Sequence, residues 1–574
     1  MKNRAIDTPI ASPLPSVPTR LASTVLRPFS LVGRSSVFVP ALAALAVAGA
    51  VVVVLQIPRS LGTHDEAWYL MVIRDHVSEN GGAWNMLFGF LPDSLVVWRS
   101  LSWLIRIVSC PLLVYGLLGV SGVKTRLKPA VWAPLSVAAV LAADSDPVWV
   151  AAYYNLNVLC FSVSFAAAAF AAARSGCVAV AAAVLSGAFS FFLLPVQPLN
   201  FPSGTLLVLG TFWLLADGTG RRVRGTIAFA LGMAIGAALF FGLCESPSDY
   251  LEMFRSAAAE AAKGTGGHSV KGLFRWICQA GRYVSFDVLV PAAALAFAAR
   301  PAGNAKRTFL SRTVFVAVAA GLVVGNLVPI WGLFIEFHPA LPADFPWMAA
   351  CVLLLAAPSG RTLRDAAFLA LVVLVPVALA FGTAVPLTTR CRAYLWPFAI
   401  ASLVRAAPLL RPQARQLVLG AFLLLVAVST CCSIYQHFGT WIIPERNYFS
   451  KKVVDGKTGL RLPPGVAANL EGLRAAGLEN TTIQPLSRYC WGDVWALGSH
   501  PISRTFECEG TKLDKPLADR LPSPVHFIAP ANEEFKLIRF GQANPSLSVE
   551  KILSVEDEWG KRSVWRAKSS LQPE

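Results

Sequence analysis

VFVPALAALAVAGAVVVVLQI, running from Val37 to Ile57, is apolar except for Gln56 and long enough to cross the hydrocarbon core of a bilayer as a helix. Runs of this kind recur along the chain, each about 15 to 25 residues long and separated by short clusters of Arg, Lys, Gly and Pro. Candidate spans cover 36–57, 100–120, 130–143, 148–173, 177–194, 202–216, 225–244, 284–299, 313–335, 346–358, 366–385, 393–408 and 416–435. A chain of 574 residues that is 55% apolar and only 14% charged, with a mean hydropathy of +0.57, is not a set of water-soluble domains. It reads as an all-α polytopic membrane bundle of about thirteen transmembrane helices over 36–435.

The basic residues orient the bundle, because cytoplasmic loops carry an excess of Lys and Arg. With the amino terminus inside, the inner segments collect Lys2, Arg4, Arg20, Arg27 and Arg34, then Lys124, Arg126 and Lys128, then Arg174, then Arg221, Arg222 and Arg224. Later inner loops add Arg300, Lys306, Arg307, Arg312, Arg361, Arg364, Arg405, Arg411 and Arg415. Before residue 436 only Asp7, Asp217 and Asp365 fall inside, whereas Asp65, Glu66, Asp75, Asp93, Asp144, Asp146, Glu245 and the remaining acids fall outside or near that face. An odd number of spans then leaves the carboxyl terminus outside. The formal net charge of +17 sits mostly in those inner loops, where it serves topology and contact with membrane lipids, so nucleic acid is not an expected partner.

The two ends of the chain differ from the middle. Residues 1–35 are rich in Pro, Ser and Arg without an apolar pattern and read as a disordered cytoplasmic tail, with a basic region too long for a cleaved signal peptide. From Gln436 the composition becomes mixed, with short strand-like segments such as Val525 to Ile528 between Gly, Pro and Asn, so 436–574 reads as a carboxy-terminal α/β domain outside the membrane. It holds Cys490 and Cys508 on the side expected to be oxidising; a disulfide between them and two buried free thiols stand as equal readings. The other cysteines lack zinc spacing, and the chain has no P-loop, GxGxxG, HExxH or GxSxG arrangement.

Chemistry therefore falls to the outer segments, and the loop over 58–99 is the most structured of them. It contains Thr63-His64-Asp65-Glu66-Ala67-Trp68-Tyr69 just beyond the first span. Thr63 with Glu66 fits a capping box, Asp65 falls in a first turn that favours acids, and Trp68, Tyr69, Val72, Ile73 and His76 recur at helical spacing. On spacing alone the loop is an amphipathic helix lying on the membrane surface. The other outer features are the Asp144-Ser145-Asp146-Pro147 turn, the loop over 245–283 with Gly264, Gly266 and Gly267 at its middle, the segment around His338, and Arg390 with Arg392. The 245–283 loop reads either as a pair of surface helices or as a mobile flap.

Asp65-Glu66 followed by Tyr69, the second acidic turn at Asp144 and Asp146, and an outer carboxy-terminal domain together resemble the GT-C class of membrane glycosyltransferases. In span number and terminal domain the chain is similar in plan to the lipid A aminoarabinose transferase family. The resemblance implies a bacterial inner-membrane enzyme that takes a sugar from a polyprenyl-phosphate donor to a glycolipid or other envelope glycan at the periplasmic face. In that chemistry Asp65 accepts the proton of an acceptor hydroxyl as it attacks the anomeric carbon, with inversion. Glu66 orients Asp65 or caps its helix. Arg390 and Arg392 clamp the leaving phosphate or snorkel to the interface. Asp144 and Asp146 form the second acidic site or open a turn before Pro147; Tyr69, His64 and His338 lie where they would meet donor or acceptor, although a lone His is more often structural. Some members of the class use a divalent cation and others do not; Asp65, Asp144 and Asp146 supply hard oxygens suited to Mg²⁺ or Mn²⁺.

Two other functions fit a many-span envelope protein. An O-antigen ligase or polymerase would rely on outer Arg and His residues, but the strongest acidic signal here is in the first loop and the soluble part is terminal. A lipid or glycan transporter would place ionisable or other polar residues near mid-span, for which Arg106 and Asn326 are the main candidates. The glycosyltransferase reading accounts for most of the pattern.

Overall fold

The structure is a computed structural model that describes residues 35–57, 61, 65–75, 87, 90–121, 129–143, 151–262, 274, 277–278, 281, 363–380, 395–406, 452–487, 490–501 and 524–569, with single positions and short runs between 412 and 431. The described apolar runs are helices, the conformation that satisfies every backbone N–H and C=O without water. In chain order they are α1 (Ser35–Gln56), α2 (Asp65–Arg74), α3 (Leu95–Ser121), α4 (Pro129–Ala143), α5 (Tyr153–Ala173), α6 (Gly176–Val196), α7 (Asn200–Leu215), α8 (Thr219–Leu243), α9 (Pro247–Ala262), α10 (Leu363–Ala380) and α11 (Leu395–Ala406). Five of these, α1, α3, α5, α6 and α8, are long and apolar enough to cross a membrane, and the chain is a helical membrane protein. The expected spans 284–299, 313–335 and 346–358, and the tail over 1–34, lie outside the described residues.

Three boundaries differ from the hydropathy reading for physical reasons. α3 begins at Leu95 rather than near 100, because the charge of Arg99 is paired within the bundle. α8 begins at Thr219 rather than near 225, since Arg221, Arg222 and Arg224 continue the helix beyond its apolar stretch. α5 begins at Tyr153 rather than 148, because Ala151 instead donates its backbone N–H to Trp98 O at 3.1 Å.

α5 packs against α3, α6, α7 and α10. Its run Ala166–Ala172 is almost wholly buried, and hydroxyls stitch it to α6: Ser164 Oγ donates to Ser186 O at 2.7 Å and lies 2.6 Å from Ser190 Oγ. Among the described residues, α6 and α8 approach closely: a Cβ on Gly187 would fall 1.9 Å from Phe229 O and one on Gly232 would fall 2.0 Å from Val184 O. Glycine at both positions lets the two backbones touch, as in membrane helix pairs whose association rests on close van der Waals contact.

Side-chain bonds show which helix ends lie together. Asn157 and Asn200, near the starts of α5 and α7, both donate to Leu379 O at the end of α10, at 3.2 and 3.1 Å. Tyr250 of α9 donates to Leu194 O near the end of α6 at 3.1 Å. At the opposite end, Arg221 donates to Ala172 O at 3.4 Å, and Asp365 at the start of α10 pairs with Arg405 at the end of α11. These contacts run the described helices of the bundle in alternating directions.

The carboxy-terminal segment contains the short pair β1 (Val453–Val454) and β2 (Arg461–Leu462), then α12 (Pro464–Ala475), β3 (Ile483–Pro485), α13 (Trp491–Ala496), β4 (Val525–Pro530), α14 (Glu534–Ala543), β5 (Leu547–Asp557) and β6 (Gly560–Ser569). Four strands form one mixed sheet in the order β3-β4-β6-β5, parallel between β3 and β4 and antiparallel elsewhere. A small core of Leu486, Val525, Phe527, Leu537 and Phe540 holds α14 on one side of this sheet, each buried aromatic stabilising it by about 1.5–3 kcal/mol. The remaining core, with Val466, Leu470, Trp491, Val494 and Val564, belongs to the same apolar cluster as Leu70, Trp98 and Tyr154 of the helical bundle.

Candidate functional site

α2 carries the acidic pair of the first loop, and at 10 residues it is too short to be stable by itself. Its position is set by what grips its two ends.

At its start, Glu66 accepts from Arg99 through both oxygens, Nε to Oε1 at 2.8 Å and Nη2 to Oε2 at 2.7 Å, with each side chain only 1% exposed. A third guanidinium nitrogen, Nη1, donates to Ile57 O at 2.7 Å. That carbonyl lies just past the end of α1, where helix carbonyls lack partners and a cation is favoured. One buried arginine thus joins the end of α1, the start of α2 and the first turns of α3. Asp65 is the first residue of α2 and directly precedes the clamped carboxylate.

At its other end, α2 meets the carboxy-terminal segment. Arg74 pairs with Asp75 at 3.1 Å and donates to the carbonyls of Trp495, at 3.5 Å, and Ser499. Asp75 Oδ1 lies 2.5 Å from His500 Nδ1, and Trp495 Nε1 donates to Asp93 Oδ1 at 3.1 Å. The end of α2 therefore meets the last turn of α13 and the residues just after it, and Asp93 meets Trp495 within α13.

Between these ends the helix is not the surface amphipath its spacing suggests. Ala67, Leu70, Met71 and Val72 are fully buried, as is Ile73 nearly so, because α2 lies between the bundle and α13 rather than on lipid. Tyr69 is also buried, its ring edge-on to Tyr153 at 6.1 Å and Tyr154 at 6.2 Å. These contacts pack α2 against the start of α5.

Behind the docking turn, Arg562 lies between two carboxylates, 2.8 Å from Asp493 Oδ2 and 2.8 Å from Asp557 Oδ2. Burial pushes the Asp493 carboxyl up to about 6 against the opposing pull of Arg562. Burial acts on Asp557 in the same sense, but its bonds to Arg562 and Asn469 win and hold it below the usual carboxylate range. Cys490, at the start of α13, is a buried free thiol, pushed well above its ordinary value by burial and then by Asp493. Its expected partner Cys508 lies outside the described residues.

Of the other candidate residues, the side chain of Asp65 and all of His64, Asp144, Asp146, His338, Arg390 and Arg392 lie outside the described residues, as does Thr63 of the capping box. The continuous described part of the 245–283 loop is dominated by the helix α9, tethered by the buried Tyr250 against Phe240 and Phe241. Among the described residues no three or more His, Cys, Asp and Glu side chains gather as a metal site. The sequence reading missed Arg74 and Arg99. With Arg59 they are the basic residues of a loop assigned to the outer, acidic side, and that departure from the charge rule was the available signal. No protein-family model matches the chain, and comparison with curated proteins finds no significant similarity.

Proposed function

We propose that this chain is a membrane glycosyltransferase of the GT-C type, acting at the periplasmic face of a bacterial inner membrane. It transfers a sugar from a polyprenyl-phosphate donor to an envelope glycolipid or glycan, by inversion, with Asp65 as the general base. The observation that carries this reading is the Arg99 clamp. It fixes the start of α2, and with it the backbone of Asp65, at the end of the bundle where the first loop and the carboxy-terminal segment meet. A lipid-linked sugar presents its anomeric carbon at that depth, and a base is useful there only if its backbone is held rigid.

Glu66 then has a positioning role, since both its oxygens are engaged by Arg99. Arg390 and Arg392 clamp the leaving phosphate, and Asp144 with Asp146 bind substrate or a divalent cation. A transporter reading draws less support: in the described helices Arg99 and Arg405 are paired with acids, and Arg106 lies over the Trp103 ring at 5.3 Å.

The test compares the masses of envelope glycolipids from cells with and without the gene, complemented by wild-type or Asp65→Asn chains at matched membrane levels. The expected result is one sugar mass that disappears without the gene, returns with wild type and does not return with Asp65→Asn. Restoration by Asp65→Asn removes Asp65 as base; an unchanged glycolipid profile in the deletion overturns the reading. With donor and acceptor named, Arg390→Ala with Arg392→Ala is expected to weaken apparent donor affinity.

A further inference from the structure

At the end of the bundle opposite α2, a groove of about 430 Å³ is lined by Phe170, Ala173, Arg174, Ser175, Val178 and Arg221. That volume falls within the range of about 300–1,000 Å³ typical of small-molecule sites. We propose that it binds the phosphate of an anionic phospholipid. Its two cations come from different helices, Arg174 just past α5 and Arg221 in the first turn of α8, and converge on one opening.

Among the described residues neither guanidinium is paired with a carboxylate, in contrast to Arg405 at the same end, which Asp365 neutralises. Arg174 lies over the Phe170 ring at 5.3 Å, and Arg221 spends one N–H on Ala172 O at 3.4 Å. A guanidinium has five such donors, so most remain for an anion. The chain between the two arginines adds to the same charge preference. Ser175 precedes α6 in extended conformation, and its side chain makes no capping bond to that helix. The start of a 21-residue helix, with its partial positive charge, therefore lies beside the groove without a capping bond from Ser175.

The apolar part of the lining argues for a lipid rather than a free ion. Phe170 and Val178 face the same opening, and Val178 is 59% exposed on a helix long and apolar enough to cross a membrane. An acyl chain running down that wall would cover it while the phosphate meets the arginines. Basic pockets between membrane helices select lipid headgroups on this principle.

The test uses the full-length chain purified in neutral detergent. Retention of phosphatidylglycerol and of phosphatidylcholine is read by native mass spectrometry, alongside the melting temperature in each lipid and in inorganic phosphate alone. The wild type is expected to prefer phosphatidylglycerol, and Arg174→Gln with Arg221→Gln to lose roughly tenfold or more of that retention. Arg224→Gln, on the same helix but outside the groove, is expected to keep it. Ser175→Asp, which puts a carboxylate in the groove and leaves both arginines in place, is expected to lose it as well, and serves if the double variant does not fold. Equal retention in these groove variants overturns the site. Stabilisation by inorganic phosphate equal to that by phosphatidylglycerol overturns the lipid assignment.

Discussion

Glu66 and Arg99, 33 residues apart, form a two-point ion pair at 2.7 and 2.8 Å inside the bundle. Removing one partner of such a pair leaves a buried charge without compensation, at a cost of about 3–5 kcal/mol. Arg99→Met is therefore expected to lower the melting temperature of the purified protein steeply. Glu66→Met with Arg99→Met together should cost less than Arg99→Met alone. A double variant as unstable as the sum of the singles would show that the two side chains do not act as a pair.

Gly232 is expected to tolerate no side chain. A Cβ there would lie 2.0 Å from Val184 O, a backbone atom that cannot rotate away, and overpacking of this kind costs about 1–3 kcal/mol. Gly242→Ala, where nothing lies within 4 Å, is expected to leave stability unchanged or raise it by up to about 1 kcal/mol. Thermal unfolding of the two alanine variants side by side checks the contrast.

Arg74 holds the end of α13 and the turn after it to α2 through two backbone carbonyls. Arg74→Met should leave those carbonyls without that donor and let the turn open more often. Amide exchange over Leu497–His500 is expected to rise about tenfold, the equivalent of losing one net hydrogen bond, while exchange in β5 and β6 stays unchanged. Equal acceleration across the sheet would point to global destabilisation instead.

Two buried carboxylates give the carboxy-terminal segment opposite responses to pH. Asp455 is held below its ordinary value because Arg474 and Thr458 outweigh its burial; its contribution to stability is present above the unfolded value and is lost as pH falls through the lower folded one. Asp493 titrates in the folded chain at about 6 rather than 3.8, so the folded state keeps a proton that the unfolded state releases. Its effect is unfavourable, growing as pH rises from about 4 and complete above about 6, to a total of about 3 kcal/mol. Melting temperatures of Asp493→Asn, relative to wild type, should therefore improve from pH 4 to pH 7. A constant difference would mean that Asp493 titrates normally.

The inside-outside assignment can be read from two exposed thiols, Cys177 and Cys278. In a chain keeping one or the other, with its remaining cysteines changed to Ser, a membrane-impermeant maleimide is expected to label Cys278 in intact spheroplasts and Cys177 only after permeabilisation. The reverse pattern would invert the topology and move α2 to the cytoplasm.

Helix positions were largely legible because lipid leaves an apolar run few alternatives to a helix: the runs expected at 36–57 and 130–143 are helices at Ser35–Gln56 and Pro129–Ala143. The anchoring of the candidate site was not. Hydropathy began the second span at residue 100 because Arg99 is charged, and the partner that makes its burial tolerable, Glu66, lies in a different element. The capping reading accounts for a helix start near residue 65 but not for this ion pair. Spacing likewise suggested a half-exposed α2, since a period of apolar residues does not reveal that α13, more than 400 positions later in the chain, covers the other face.

The apolar cluster that passes unbroken from the bundle into the carboxy-terminal segment has a mechanical meaning. With α2 packed between the two, α13 cannot lift away without uncovering the face of α2 that it covers. The terminal segment acts as a keystone for the first loop rather than as an appendage to the membrane part.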